Sequence, residues 1–174
     1  MQLTDVRDIA ASPEVVWAAI LDADVLKECL AGCESMSGSP EAGFEAAVVQ
    51  KVGPVKARFT GVVSLTDMVP PRSLTLSGEG KGGAAGFAKG SARVTMEPIE
   101  IGTRLSYTVE AHVGGKLAQL GSRIIDGFAK KMADDFFTRF QAAVEAPDAD
   151  DVPDEKLARS TEKKKGWFKR IIGG

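Results

Sequence analysis

Between Phe44 and Val113 apolar and polar side chains alternate with hardly a break, and no other feature restricts the fold of this chain so tightly. A period of two is the mark of strands that bury one face. Within VKARFTGVVSL, Val55, Ala57, Phe59, Gly61, Val63 and Leu65 fall on one side, with Lys56, Arg58, Thr60, Ser64 and Thr66 mostly opposite. Gly53-Pro54, Pro70-Pro71, Gly82-Gly83 and Gly102 cut the run into successive strands, and connections that short join antiparallel neighbours. RLSYTVEAHV supplies the last strand. Leu105, Tyr107, Val109, Ala111 and Val113 lie on its inward side, while Ser106, Thr108, Glu110 and His112 face solvent.

Helical signals flank this run. LTDVRDIA reads as a strand, with Leu3, Val6 and Ile9 loosely periodic. SPEVVWAAI follows with Ser12 as N-cap, Pro13 in the first turn and Glu14 behind it. A second short helix, ADVLKECLAG, follows Asp22 and stops at Gly32. After Gly114-Gly115 the period becomes helical: Leu117, Leu120, Ile124, Phe128, Met132, Phe136 and Phe140 form one stripe, which predicts a single long helix lying on the sheet. The fold class is α+β. Strand, two short helices, a run of antiparallel strands and a long helix resemble the helix-grip fold, in which a curved antiparallel sheet wraps a C-terminal helix. With 174 residues, 44% of them hydrophobic, the chain supports one core of ordinary size. That core is expected within residues 1–147, followed by an acidic linker (148–162) and a basic tail (163–174).

Charge and composition narrow the function. Asp and Glu (24) slightly outnumber Lys and Arg (22), so a basic surface is confined to the terminus and nucleic acid is not the expected partner. The start MQLTDVRDIA lacks the features of a secretory signal, and no stretch is long and apolar enough to span a bilayer, which places the protein in the cytoplasm. Cys29 and Cys33 are read as reduced structural thiols. With His112 the lone histidine, no metal site is expected. GEGKGGAAG contains G-x-G-x-x-G at Gly78, Gly80 and Gly83, but GFAKGSARVTM continues as strand, so the motif reads as a glycine-rich hairpin rather than a dinucleotide site. Its Gly82 to Gly86 segment is the candidate gate. No catalytic constellation is visible: the inward face offers Tyr107 and scattered hydroxyls, and Asp134-Asp135 read as a solvated helix flank.

The inward face is notable for small residues: Ala46, Ala57, Gly61, Gly78, Gly80, Ala88, Ala92 and Ala111. Either the helix backbone approaches closely there, or the space is a cavity. The cavity walls would be Phe59, Val63, Leu65, Leu74, Leu76, Leu105, Tyr107 and Val109 from the sheet, with Leu120, Ile124, Phe128 and Met132 from the helix. Such walls select an apolar small molecule, with Tyr107 as the one polar contact. An enzyme would instead need polar groups converging inside, and two or more inward ionisable side chains would favour that reading.

The terminus KKKGWFKRIIGG has another character. As a helix it places Trp167, Phe168, Ile171 and Ile172 on one apolar edge, with Lys163, Lys164, Lys165, Lys169 and Arg170 around it. Burying one such side chain is worth roughly 1.5–3 kcal/mol, and each basic residue adds about 1 kcal/mol near anionic lipid. The tail therefore reads as a reversible anchor on an anionic membrane surface. A groove on a partner protein, a solubility tail and a nucleic-acid arm are the alternatives.

KVGPVKARFTGVVSL, GEGKGGAAGFAKGSARV and LAQLGSRIIDGFAKKMADDFF together resemble the CoxG family of carbon monoxide dehydrogenase subunits, within the START and Bet v 1-like (SRPBCC) superfamily. The resemblance spans Met1 to about Val144. It implies a non-catalytic accessory protein of a molybdenum hydroxylase such as CO dehydrogenase, linking that enzyme to the inner face of the cell membrane. It further implies a lipid-like ligand in the helix-grip cavity, with an isoprenoid quinone the leading expectation and no covalent cofactor. Alternatives are a purely structural adaptor with a filled core, or a cyclase or hydrolase of the same superfamily.

Overall fold

A computed structural model describes residues 1–145; the expected linker and tail lie outside the described residues. The chain runs β1 (Gln2–Ile9), α1 (Pro13–Ile20), α2 (Ala23–Cys29), β2 (Cys33–Ser39), β3 (Gly43–Val52), β4 (Val55–Val69), β5 (Ser73–Lys81), β6 (Phe87–Ile99), β7 (Gly102–Gly114), α3 (Lys116–Gln119) and α4 (Ser122–Glu145). The strands form one antiparallel sheet in the order β1-β7-β6-β5-β4-β3-β2. Consecutive strands from β2 to β7 are neighbours, and β1 closes the far edge by pairing with β7. Because β1 and β2 sit on opposite edges, the segment between them must cross the sheet, and α1 and α2 make that crossing. The architecture is α+β and matches the helix-grip expectation.

Local chemistry explains the short helices. The Ser12 hydroxyl accepts the Val15 N–H at 3.3 Å with Pro13 in the first turn, and the Asp22 carboxylate accepts from the Asp24 and Val25 amides at 2.9 and 3.4 Å. Between β5 and β6 the glycine motif forms a hairpin around a single 3-10 turn, Gly83–Ala85, with Gly83 and Gly86 at φ +58° and +112°. No α-helix opens there, as the sequence context requires. Cys29 is buried in the core, where desolvation and then the Glu28 charge push its thiol up to about 11; Cys33 begins β2, and both thiols are free.

Two expectations need correction, and one strand lies where the sequence pattern gives no reading. Strand β2, CESMSGS, carries little hydrophobic alternation because it is an edge strand whose residues are mostly exposed. On β1 the inward set is Leu3, Asp5, Arg7 and Ile9, and Val6 points outward at 49% exposure. The terminal helix is also not continuous. Gly121 adopts φ +88°, ending α3 and restarting the helix at Ser122 in a new phase. A stripe drawn through Leu117 and Ile124 assumes unbroken periodicity, so it misplaces the buried face: α4 buries Ile125, Phe137, Phe140 and Val144, and Ile124 is 40% exposed.

The apolar interior has two parts. The larger one joins Ile9, Val16, Trp17, Ile20, Val25, Leu74, Val94, Met96, Leu105 and Tyr107 to Phe137, Phe140 and Val144 of α4. The smaller one lies at the other end of α4 and joins Val52, Leu117 and Ile125, with Phe59, Leu120 and Phe128 packed against them. Phe140, with no solvent exposure, sits in the larger cluster against Phe136 and Phe137 at centroid distances of 5.7 and 6.2 Å. Phe140→Ala is expected to cost about 3–5 kcal/mol in urea denaturation, and Ile124→Ala about 1 kcal/mol or less. Equal losses for the two variants would contradict this division of the helix.

Candidate functional site

Strand register shows what lies between the two clusters. Starting in the larger cluster, inward residues line up across β1, β7, β6 and β5 as Asp5, Tyr107, Val94 and Leu74. The next rung is Leu3, Val109, Ala92, Leu76 and Leu65 of β4. Then come Ala111, Gly90, Gly78, Val63 and Phe44, followed by Val113, Ala88, Gly80, Gly61 and Ala46. Rungs on one face are about 7 Å apart. The middle of the inner face is thus floored by glycine and alanine across several strands.

Two observations separate close packing from a gap. A Cβ built on Gly80 would meet nothing nearer than the Thr60 carbonyl oxygen at 4.0 Å, so no atom of α4 rests on that glycine. Val63 and Leu65, whose side chains face inward from an interior strand, are only half-buried. At Gly80 the helix leaves the floor uncovered. At Gly82 the outcome differs: the Phe59 ring lies where a Cβ would go, its nearest carbon 2.4 Å away, and fills the space. A recess of about 320 Å³ is lined by the outward-facing Glu79, Lys81 and Phe87 together with Gly83 and Gly86 of the β5–β6 hairpin.

The expected wall residues distribute accordingly. Leu74, Leu105 and Tyr107 belong to the large packed cluster, with Leu76 and Val109 at its border. Phe59, Leu120 and Phe128 belong to the small cluster, while Val63, Leu65 and Met132 are half-buried. Ile124 lies at the rim, 3.4 Å from a Cβ built on Gly53 in the β3–β4 turn. The tail residues Lys163 to Lys165 and Trp167 to Ile172 lie outside the described residues.

Sequence pattern alone misses a polar group on the inner face. Arg7 projects inward from β1, and its Nη2 donates to Asp134 Oδ1 of α4 and lies 3.0 Å from Asp5 Oδ2. Its guanidinium sits 5.3 Å from the centroid of Phe137, the ring on which Tyr107 stacks at 5.1 Å. Desolvation works against the Arg7 charge, but the Asp134 hydrogen bond and the nearby Tyr107 and Asp5 outweigh it and hold its pKa above the ordinary value. Asp134 is therefore not a free solvated flank but the helix's ionic tie to the sheet. The signal for this was Asp5-x-Arg7, two charges on the parity of Leu3 and Ile9. Inward ionisable side chains are what an enzyme reading asks for, yet here the cation is committed to two carboxylates. Among the described residues no group of His, Cys, Asp and Glu is arranged to hold a metal ion.

Polar ties hold only one half of α4. Besides Arg7–Asp134, Gln141 Nε2 donates to the Asp8 carbonyl at 3.1 Å and the Ala10 N–H donates to Glu145 Oε2 at 2.8 Å. Among the described residues no side-chain hydrogen bond or ion pair joins the stretch from Ser122 to Ala133 to the sheet. No helix among them is long and apolar enough to cross a membrane.

Residues 7–145 match the family model for CoxG, a subunit of carbon monoxide dehydrogenase. Among solved structures, a conserved protein of Geobacillus kaustophilus is 30% identical, with TM-score 0.78 over 84% of this chain and 97% of that one. A Thermus thermophilus protein at 18% identity (TM-score 0.64, 84% and 98% covered) and a Rhizobium leguminosarum protein at 15% (0.66, 84% and 95%) share the fold. No curated protein matches.

The Arg7–Asp134 tie has a pH signature. Arg7 first, and Lys130 at 3.5 Å second, hold the Asp134 carboxyl below its ordinary value of 3.8. A folded pKa below the unfolded one stabilises the fold above the unfolded value, and the contribution disappears as pH falls through the folded value. Asp134→Asn should therefore flatten the acid limb of a urea-midpoint profile between about pH 5 and pH 3. An acid limb identical to that of the wild type would remove Asp134 from the account.

Proposed function

The chain belongs to the CoxG family of carbon monoxide dehydrogenase subunits, and on that premise we propose that it is a non-catalytic accessory protein that carries an apolar, lipid-like molecule for a molybdenum hydroxylase. The single observation that carries the reading is the Gly/Ala floor, which α4 leaves uncovered at Gly80 and which half-buried Val63 and Leu65 border. Apolar walls around a gap favour a ligand with a long hydrocarbon part. An isoprenoid quinone suits both the walls and the need of a redox enzyme for an acceptor dissolved in the bilayer.

Entry is easiest where α4 is least restrained. Its N-terminal half lacks polar ties to the sheet, and Gly121 interrupts the helix just before it, so the α3–α4 junction is a better gate than the Gly82 to Gly86 hairpin. The terminal segment with Trp167, Phe168, Ile171 and Ile172 among basic residues would hold the carrier at an anionic membrane surface, where its ligand resides. Arg7 and Asp5 are the observation that favours an enzyme instead. Against it, the guanidinium is committed to both carboxylates, so these charges compensate one another rather than converge on an open space.

Protein purified gently from membranes of its own host and extracted with organic solvent should yield a stoichiometric isoprenoid quinone by mass spectrometry. Extracts without any lipid would favour an adaptor whose core is filled. Separately, removal of Gly166 to Gly174 should abolish flotation with anionic vesicles, and Trp167→Ala with Phe168→Ala should weaken it strongly even at low salt. Unchanged flotation of the truncated chain would sink the anchor.

A further inference from the structure

The two ends of the sheet differ in charge. Where α4 begins, three segments meet: the β3–β4 turn, the β5–β6 hairpin, and the chain from the end of β7 through α3 into α4. A Cβ built on Gly115 would lie 2.6 Å from the Gly86 Cα, one on Gly53 lies 3.4 Å from the Ile124 side chain, and the Gly83–Ala85 turn packs on β4 and α3. The three segments thus form one continuous rim. Residues 50–59, 80–89 and 111–125 contain no Asp or Glu. They present Lys51, Lys56, Lys81, Lys116 and Arg123, all exposed, and among the described residues no ion pair engages any of these five. Lys51 and Lys56 stand directly opposite one another in the β3–β4 register, a like-charge pairing that is unfavourable until an anion approaches. The carboxylates bordering the rim in sequence are Glu79, which faces Lys89 across the β5–β6 register, and Asp126 in the first turns of α4. At the far end Asp8, Glu97, Glu100 and Glu145 are set against Arg72 and Arg104, and Arg104 is committed to Asp8 at 2.9 Å.

The rim is also apolar. Phe87, across the β5–β6 register from Lys81, is 44% exposed, and Ile124, next to Arg123, is 40% exposed. The N-terminus of α4 adds its partial positive charge at the same place. Cations interleaved with open aromatic and aliphatic side chains fit a surface that is both anionic and apolar beneath. A nucleic acid or an acidic protein meets the first requirement and leaves Phe87 and Ile124 in water.

We propose that the body meets an anionic lipid bilayer directly with this rim, the α3–α4 junction toward the lipid and the acidic end toward solution. The inference rests on the carrier reading above and names the surface across which the ligand passes. Helix α4 is about 36 Å long, and the residues between Glu145 and Trp167 span up to about 70 Å, so a tail that departs from the acidic end reaches the same bilayer.

The orientation is tested on the full chain carrying an environment-sensitive nitrobenzoxadiazole dye at one of two positions. One is Ala84→Cys at the exposed hairpin tip, the other Ile101→Cys in the β6–β7 turn, each with Cys33→Ser so that the remaining native thiol is the buried Cys29. On vesicles of equal parts phosphatidylcholine and phosphatidylglycerol, the dye at 84 should brighten and shift to the blue, and the dye at 101 should not change. Lys81→Gln, Lys116→Gln and Arg123→Gln together should raise the lipid concentration for half the shift at 84 by about fivefold per charge removed at low salt, while the tail still floats the protein. No shift at 84 on vesicles that the full chain binds, or equal shifts at 84 and 101, overturns the rim and leaves the tail anchor and the carrier reading standing. A shift at 84 with a DNA oligonucleotide or polyglutamate but none with vesicles overturns it too and assigns the rim to a macromolecular polyanion. Failure of the full chain to bind vesicles at all overturns the rim and the membrane part of the carrier reading together.

Discussion

The aromatic group Phe136, Phe137 and Phe140 joins the long helix to the sheet, and the remainder of the molecule is organised by where that junction lies. It sits in the C-terminal half of α4, against Tyr107 on one side and the helices α1 and α2 on the other. Three polar ties to β1 and the residue after it reinforce the same half. At the opposite end only the smaller cluster of Val52, Leu117 and Ile125 holds the helix. A sheet clamped to its helix at one end and lightly closed at the other can keep a stable fold and an accessible interior at once. Dense packing supplies the stability, and the small residues lie away from it.

The division of labour also explains why Arg7 tolerates an inward position. A guanidinium on an apolar face needs full compensation, and Asp5, Asp134 and the face of Phe137 surround it. The tie is at the edge of the sheet, where the two carboxylates remain partly in water, so the desolvation cost is moderate. The same placement leaves one nitrogen, Nε, without either carboxylate as its partner.

Most of the architecture was legible in the pattern of the sequence. Period-two alternation located β3 to β7, Ser12 and Asp22 announced the short helices, and the glycine motif was recognisable as a hairpin because strand resumed after it. What was not legible has physical causes. Strand β2 covers little of the core, so selection for alternation there is weak. On β1 the inward charges Asp5 and Arg7 broke the hydrophobic pattern, and the outward Val6 imitated it. Gly121 reset the helical phase, which moved burial from Ile124 to Ile125. For the candidate site, the small-residue floor could be read from parity, but whether the helix touched it depended on three-dimensional separation. The Arg7–Asp134 tie required both the β1–β7 register and the path of α4.

Register has a further consequence for how the chain is made. Gln2 pairs with Glu110 and Ile9 with Thr103, so β1 finds its neighbour only after β7 has been translated. The meander from β2 to β7 is built of adjacent hairpins, whereas β1 meets its partner only across almost the whole domain. Contacts of that sequence separation slow folding and lengthen the life of open edges. Because Arg7 lies on β1, the pairing of β1 with β7 and the tie to Asp134 that clamps α4 depend on one and the same strand.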